Sequence, residues 1–507
     1  MIMKKVMIIV LIFSVRCLNS SGIHLLPQDY QDYNDTFLVS NGASIIRASS
    51  AHLGTVLNRH NINVVPQTAT QTTETIVTGI TNKWGLNTSK GSNGYYYDDI
   101  NEFKNGVAAF QSDGSFVVGG MNFLNQDGYA YLKKFSATGQ AEWVWNDPAL
   151  NVINGIVSDG AHGYYVAGYY IIPAANAGGW VFHIKSDGTK DALFNSGNQV
   201  DFANQSDYKS YFSTLSGVGR QSTGKIVVGG PVYSDTRNVD VKRLGSDGAI
   251  DTIFSSINNT YNFTNPLGLD ATPSLALGVD SQDRILVTGT DGSSSHVWRL
   301  NADGGFDNSF GTSGVCNLPV STVPKSILLL SDDSMIIVGS DGQGSSKMRV
   351  VKITANGSLD TTFGAGKGFV DIGYLIVTQT PTPQGSNIAY SAAVLPNGNI
   401  AVVGRVDSSG GSSADSYFGI VLLKSDGTLD TNFTIPEGTA GAIAGTVIVQ
   451  PSFQVSATNG KESAAFGVGY QNVAGSTGLV VTGWTGSSVQ GAIHGKGIGL
   501  VFYSDNK

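Results

Sequence analysis

STGKIVVGG at residues 222–230, followed by VKRLGSDGAIDTIF at residues 241–254, decides the fold. The first segment is a polar turn leading into a short apolar run that ends on Gly. The second is a strand-like run, an Asp-Gly turn, and a short stretch that closes on Phe. Val and Ile favour the pleated conformation because branching at Cβ stiffens the side chain. Asp-Gly between two such runs supplies the positive-φ residue that a tight hairpin needs. Both segments recur. The first returns as SDGSFVVGG (112–120), AHGYYVAGY (161–169), SQDRILVTG (281–289), SDDSMIIVG (331–339), PNGNIAVVG (396–404) and STGLVVTGW (476–484). The second returns as LKKFSATGQAEWVW (132–145), FHIKSDGTKDALF (182–194), VWRLNADGGFDNSF (297–310), VVKITANGSLDTTF (350–363) and VLLKSDGTLDTNF (421–433), with LVFYSDN (500–506) cut short by the C-terminus.

The marker glycines Gly119, Gly168, Gly229, Gly289, Gly339, Gly404 and Gly483 stand about 50 to 80 residues apart, room for one four-stranded blade each. One strand precedes the first turn, the Gly-ended run is the second, and the third precedes the Asp-Gly turn. The fourth follows the Phe, as in GVCNLPV (314–320) and GFVDIGY (368–374). This pattern, a turn with Ile-Val-Val-Gly and then Asp-Gly-x-x-Asp-x-x-Phe-Gly, resembles the delta-60 repeat family over residues 84–507. It is most specific in repeats three to six. The resemblance implies a bacterial, commonly exported β-propeller and brings no catalytic residues with it. The expected fold is all-β: a seven-bladed β-propeller of four-stranded antiparallel blades. Repeat seven lacks a fourth strand, and residues 84–99, with Trp84-Gly85 and Tyr95-Tyr96-Tyr97, supply a candidate. They are expected to act as an N-terminal velcro strand pairing with Leu500–Tyr503, removing an exposed sheet edge.

Gly at 65 of 507 residues and a charged fraction of only 13% fit many short strands and tight turns. Lys4 and Lys5 followed by the apolar VMIIVLIFSV (6–15) read as a signal peptide over residues 1–22, too short to span a bilayer as a helix. Export is therefore expected: secretion, the periplasm or the cell surface. Arg16 before Cys17 argues against lipidation there. Residues 23–75 form an extension and linker, with a short strand expected within 36–44, and residues 76–507 form the propeller. Cys17 and Cys316 are the only cysteines, which excludes a disulfide framework. Loss of the leader makes a chain of net charge −8 still more acidic, so nucleic acid and anionic membranes are poor partners. No later segment is long and apolar enough for a transmembrane helix, and a monomer is expected.

Candidate chemistry is sparse. The pairs Asp187/Asp191, Asp247/Asp251, Asp303/Asp307 and Asp426/Asp430, with Asn356/Asp360 in repeat five, could ligate Ca²⁺. They fit turn fixation better, because short acidic side chains bond exposed backbone N–H groups. Seven scattered His residues form no metal motif. There is no nucleophile elbow or phosphate loop, and Cys316 has no base partner in sequence. No metal and no cofactor is expected. Function then falls to the variable loops between second and third strands, where aromatic and Arg residues collect: Phe123, Tyr169, Tyr170, Trp180, Tyr233, Arg237, Arg405 and Trp484. Packing between blades is the competing role for about half of them. The expected function is non-catalytic binding of a protein or glycan ligand on that face, or a cell-envelope interaction. The alternative is an enzyme acting on carbohydrate or another small polar substrate in the central funnel. Carboxylates or His at the inner strands would favour the enzyme; Gly, Ala and Ser there would not.

Overall fold

The computed structural model describes residues 24–25, 36–40, 45–49, 83–86, 95–98, 103–124, 127–171, 177–202, 214–232, 235–254, 275–290, 294–342, 346–373, 386–407, 416–431, 433, 439–440, 446–449, 461–473, 476–489 and 492–506. The chain divides into two compact units, Met1–Ile80 and Thr81–Lys507. In the first, His24–Leu25, Thr36–Ser40 and Ile45–Ser49 make a three-stranded antiparallel sheet. The middle strand falls within the expected segment. The leader, 1–22, lies outside the described residues.

The second unit is an all-β propeller of antiparallel four-stranded blades. Repeat one lays Phe103–Phe110, Phe116–Leu124, Asp127–Phe135 and Ala141–Asp147 side by side in chain order. Repeats two, four and five keep that up-and-down order, while in repeat six Thr446–Val449 lies beside Ser416–Leu423 with Thr439–Ala440 outside it. The fourth strands predicted after Phe310 and Phe363 are Val315–Asn317 and Phe369–Ile372. Six sheets hold four or more strands. The sheet of repeat three has three, Gly217–Arg220, Ile226–Val232 and Asp235–Leu244. The expectation of seven four-stranded blades is thus corrected to six, since any fourth strand of repeat three would follow Phe254, at 255–274, outside the described residues. In the last repeat Lys83–Leu86 and Tyr95–Asp98 both pair antiparallel with Ala492–Asn506.

Cores lie between neighbouring sheets. Val117 and Leu132 of repeat one pack with Tyr164, Trp180 and Phe182 of repeat two, all 4% exposed or less. Full burial of one such side chain is worth about 1.5–3 kcal/mol, so each sheet is stabilised chiefly by the next. The innermost strands Phe103–Phe110, Val152–Ser158, Gly217–Arg220, Leu277–Val279, Val323–Leu329, Asn387–Val394 and Lys461–Val473 touch in succession, and the last touches the first.

Two local devices explain the repeated residues. The inner strands of repeats two, five, six and seven bulge at Ile153/Gly155, Pro324/Ser326, Ala389/Ser391 and Ala465/Gly467, and repeat one bulges between Lys104 and Val107. The bulge swings an inner-strand carbonyl over the second strand. A Cβ on Gly168, Gly230, Gly339, Gly404 or Gly483 would fall less than 3.0 Å from the carbonyl oxygen of Val152, Thr214, Val323, Ile388 or Ala464. Only Gly permits that approach. In repeat three the required residue is Gly230, one place beyond the marker read from the sequence.

The second device joins sheets. The ring of Trp143, Phe194, Phe310 or Phe363 lies against the turn glycine of the next repeat, and a Cβ on Gly188, Gly248, Gly357 or Gly427 would meet it at 2.7 to 3.2 Å. The residue after each of three of those Phe donates its N–H to the same turn: Asn195 to Asp247 O at 2.7 Å, Gly311 to Asn356 O at 2.8 Å and Gly364 to Asp426 O at 2.8 Å. The Phe that ends one repeat thus seats in the Asp-Gly turn of the following one.

Candidate functional site

The acidic pairs of the repeat are absorbed by the scaffold. The first Asp of each pair accepts the N–H two residues on: Asp187 from Thr189 at 2.9 Å, Asp247 from Ala249 at 3.0 Å, Asp303 from Gly305 at 3.1 Å and Asp426 from Thr428 at 2.8 Å. The second Asp does two jobs. One oxygen of Asp191, Asp251, Asp307 or Asp360 accepts the N–H of Leu193, Ile253, Ser309 or Thr362 at 2.9 to 3.1 Å. The other oxygen meets a third-strand cationic or imidazole group: His183 at 2.8 Å, Arg243 at 2.9 Å, Arg299 at 2.8 Å or Lys352 at 3.0 Å. Arg243 and Arg299 also lie over the rings of Phe254 and Phe310, 4.6 and 4.4 Å from their centroids. The turn reading of the motif accounts for both oxygens of these carboxylates. Among the described residues no group of three or more His, Cys, Asp or Glu is arranged to hold a metal ion.

Asp251 gives this network a pH signature. The Lys225 ammonium at 2.8 Å, with Arg243 and the Ile253 N–H, outweighs burial and holds the carboxyl down to about 2, from the usual 3.8. Because the folded value is depressed, its stabilisation is fully present above 3.8 and is lost as pH falls toward about 2. Asp251→Asn is expected to cost about 1–2 kcal/mol at neutral pH, after allowance for solvent screening. Urea unfolding across pH should show the gap between variant and parent closing over that acid window. A constant gap would contradict the assignment.

His183 is the most engaged imidazole. Its two nitrogens meet Asp191 at 2.8 Å and Asp159 at 3.0 Å, and Tyr165 stacks on the ring at 4.3 Å. It occupies the position that Arg243 and Arg299 hold elsewhere, so it belongs to the same stitching. Cys316 is buried, and burial pushes its thiol up to about 11, the opposite of an activated nucleophile.

With the repeat residues absorbed, the inner rim becomes the place to look. The bulge residues are Asn105 and Gly106 in repeat one, Asn154 in two, Lys325 in five, Tyr390 in six and Phe466 in seven. Ser216 stands in the equivalent place before Gly217, which pairs with Gly229, and the buried Leu275 does so before Ala276, whose carbonyl accepts the Thr288 N–H. Each lies near the start of its inner strand, the end where the loops between second and third strands emerge. The described side chains lean onto the next inner strand: Asn154 Nδ2 donates to Leu215 O at 3.0 Å, and the Phe466 ring covers Gly106. The rim is lopsided. Repeats one to three contribute Gly, Asn and Ser beside Asn105, repeat four contributes Leu275, and repeats five to seven contribute Lys, Tyr and Phe. None of these residues is His or carboxylate.

The residues proposed from sequence are distributed as follows. Trp180 is 0% exposed and belongs to the core between repeats one and two, so its ring presents no face to a ligand. Tyr170 is buried, with its hydroxyl on Asp201 at 2.9 and 3.0 Å. Tyr169 is half-buried, which raises its phenol. Trp484 packs against the cluster of Phe103 and Tyr131. Arg405 pairs with Asp407 at 2.6 Å and stays partly open to water. Both groups act on the Tyr390 phenol, which burial raises, Arg405 lowers and Asp407 raises. Arg405 stands on the second strand of repeat six, opposite Ile388 of the inner strand that carries Tyr390. Tyr233 and the side chains of Phe123 and Arg237 lie outside the described residues, as do most of the variable loops. The rim residues escaped sequence reading because a bulge leaves no mark of its own in an apolar run.

Inner strands in succession around an axis and sheets joined by ring-into-turn contacts define a β-propeller. Three stretches, 221–254, 283–310 and 330–363, match the sequence profile of a family described as a domain of unknown function (DUF5122) beta-propeller. That match supports a β-propeller repeat family. No curated protein matches the chain. Among solved structures, an ulvan lyase, a polysaccharide lyase, bound to -[GlcA(1-4)Rha3S]- is 11% identical with TM-score 0.44, covering 81% of this chain and 96% of its own. The periplasmic gluconolactonase of Pseudomonas aeruginosa is 10% identical with TM-score 0.41, covering 76% and 95%. Sqt1 of Chaetomium thermophilum is 10% identical with TM-score 0.35, covering 80% and 97%.

Proposed function

We propose that the chain is an exported, non-catalytic binding protein whose delta-60-type propeller offers its variable-loop face and central opening to a protein or glycan ligand. The observation that carries this is the rim itself. General acid–base work is done most often by a positioned His or carboxylate, and less often by Lys or Tyr. The inner positions hold Gly106, Asn154, Ser216, Leu275, Lys325, Tyr390 and Phe466, while the repeat carboxylates are engaged in turns and ion pairs. The ring is proposed to count repeat three as its seventh blade, since its inner strand touches those of repeats two and four. Lys83–Leu86 and Tyr95–Asp98 are proposed as the velcro that completes the last sheet, supported by their pairing with Ala492–Asn506. The signal segment supports export. The test is a glycan array and an envelope pull-down with the chain lacking residues 1–22, scored together with product release from the same glycans. Saturable binding without turnover is expected. Product release from a bound glycan would overturn the non-catalytic reading.

A further inference from the structure

The geometry points to an anion subsite at the rim, with Lys325 taking the carboxylate of a sugar acid whose ring rests toward Tyr390 and Phe466. This rests on the binding reading and names its ligand class. Lys325 is the one cation among the bulge residues. It is open to water, yet enough protein surrounds it that burial lowers its ammonium from the ordinary value. A side chain in a narrow water-filled opening meets both conditions. Among the described residues its ammonium makes no ion pair or hydrogen bond. These third-strand and turn cations are matched: Lys134 by Glu142, Arg243 by Asp251, Arg284 by Asp280, Arg299 by Asp307, Lys352 by Asp360.

In a chain of net charge −8, an unmatched cation held at a bulge is a site for an anion brought from outside. The next two rim positions carry rings. Tyr390 makes no hydrogen bond among the described residues, so its hydroxyl is available to a second polar group, and Arg405 lies close enough to act on it. Phe466 offers an apolar face, the surface that a pyranose covers with its C–H groups. Across the rim Asn154 and Ser216 carry small side chains.

The experiment is calorimetric titration of the chain lacking residues 1–22 with glucuronate, galacturonate, glucose, benzoate and inorganic phosphate, repeated on Lys325→Met and Tyr390→Phe. The two sugar acids are expected to bind and glucose not. Lys325→Met should weaken the acids by about tenfold or more, the loss of one charge-assisted bond, and Tyr390→Phe by a few-fold. Because Lys325 has no partner among the described residues, its variant should melt with the parent. Parental affinity in Lys325→Met would overturn the site and leave the binding reading standing, as would glucose binding as well as glucuronate. No sugar-acid binding in the parent also overturns it. Binding of benzoate or phosphate alone would reject the sugar-acid class. Conversion of a bound sugar acid to product would instead sink the non-catalytic reading and keep Lys325 as its anchor.

Discussion

Gly404→Ala is expected to destabilise the propeller by about 3–5 kcal/mol, or to abolish soluble expression, although it adds a single methyl group. The new Cβ would sit less than 3.0 Å from Ile388 O and from the Ala389 Cα, all backbone atoms of the bulged inner strand. No side chain can swing aside to relieve it. Relief would require the bulge to flatten, which shifts the register of Asn387–Val394 against Ile400–Asp407 and turns its core residues outward. Gly366→Ala is the informative control. Gly366 has a positive φ of 92° and nothing within 4 Å of its would-be Cβ, so it should cost only about 1 kcal/mol, from backbone strain. Thermal and urea unfolding of both variants compare the two. Equal, small losses would show that the carbonyl overlap is not what demands glycine in the second strand.

Removing residues 83–98 is expected to lower the melting temperature by about 10 °C or more, or to erase cooperative unfolding. Tyr503 to Asn506 would lose their partners Leu86 to Lys83, and Ile498 to Val501 would lose Asp98 to Tyr95. A long strand, Ala492–Asn506, would then be an edge with unpaired N–H and C=O groups. A variant lacking 23–75 should lose much less, because that deletion leaves these pairings in place. Limited proteolysis should cut the first variant within the last repeat and spare the second. Cooperative unfolding at the parental temperature without 83–98 would show that the proposed closure contributes nothing.

The repeat was legible because its signal is local. A tight turn leading into an apolar run that ends on Gly, and Asp-Gly-x-x-Asp followed by Phe, recur in copy after copy, so each copy carries its own evidence. The strand order, the fourth strands after Phe310 and Phe363, and the turn role of Asp191, Asp251 and Asp307 followed from that. What could not be read was anything set by register. The choice of Gly230 over Gly229 depends on which residue lies under Thr214 O, and Asn154, Lys325 and Tyr390 become rim residues only through an extra residue in the pairing. The aromatic candidates illustrate the same limit. Trp180 and Tyr170 stand beside a variable loop in the sequence, but both faces of Tyr164–Ile171 and Ala177–Ile184 are core, and these two pack toward repeat one. Loop position and side-chain direction are independent facts in a strand of period two.

The contact of one repeat's terminal ring with the next repeat's turn glycine has a direction. Trp143 reaches forward to Gly188, Phe194 to Gly248, Phe310 to Gly357 and Phe363 to Gly427. A repeat with both parts carries plug and socket on opposite flanks, which makes the joint heterologous, head to tail. Such a joint has no intrinsic end: it yields a closed circle when the rotation per step divides a full turn and an open filament when it does not. Copy number is then a matter of curvature, and the joint itself would admit one repeat more or fewer. Gene duplication of a single repeat would deliver a new member already complementary to both neighbours. A circle that springs open displays one unoccupied socket and one unseated plug, matched in chemistry to those of any other opened molecule. Linear end-to-end polymers, not amorphous aggregate, are therefore the form in which failure of this circle should first be seen.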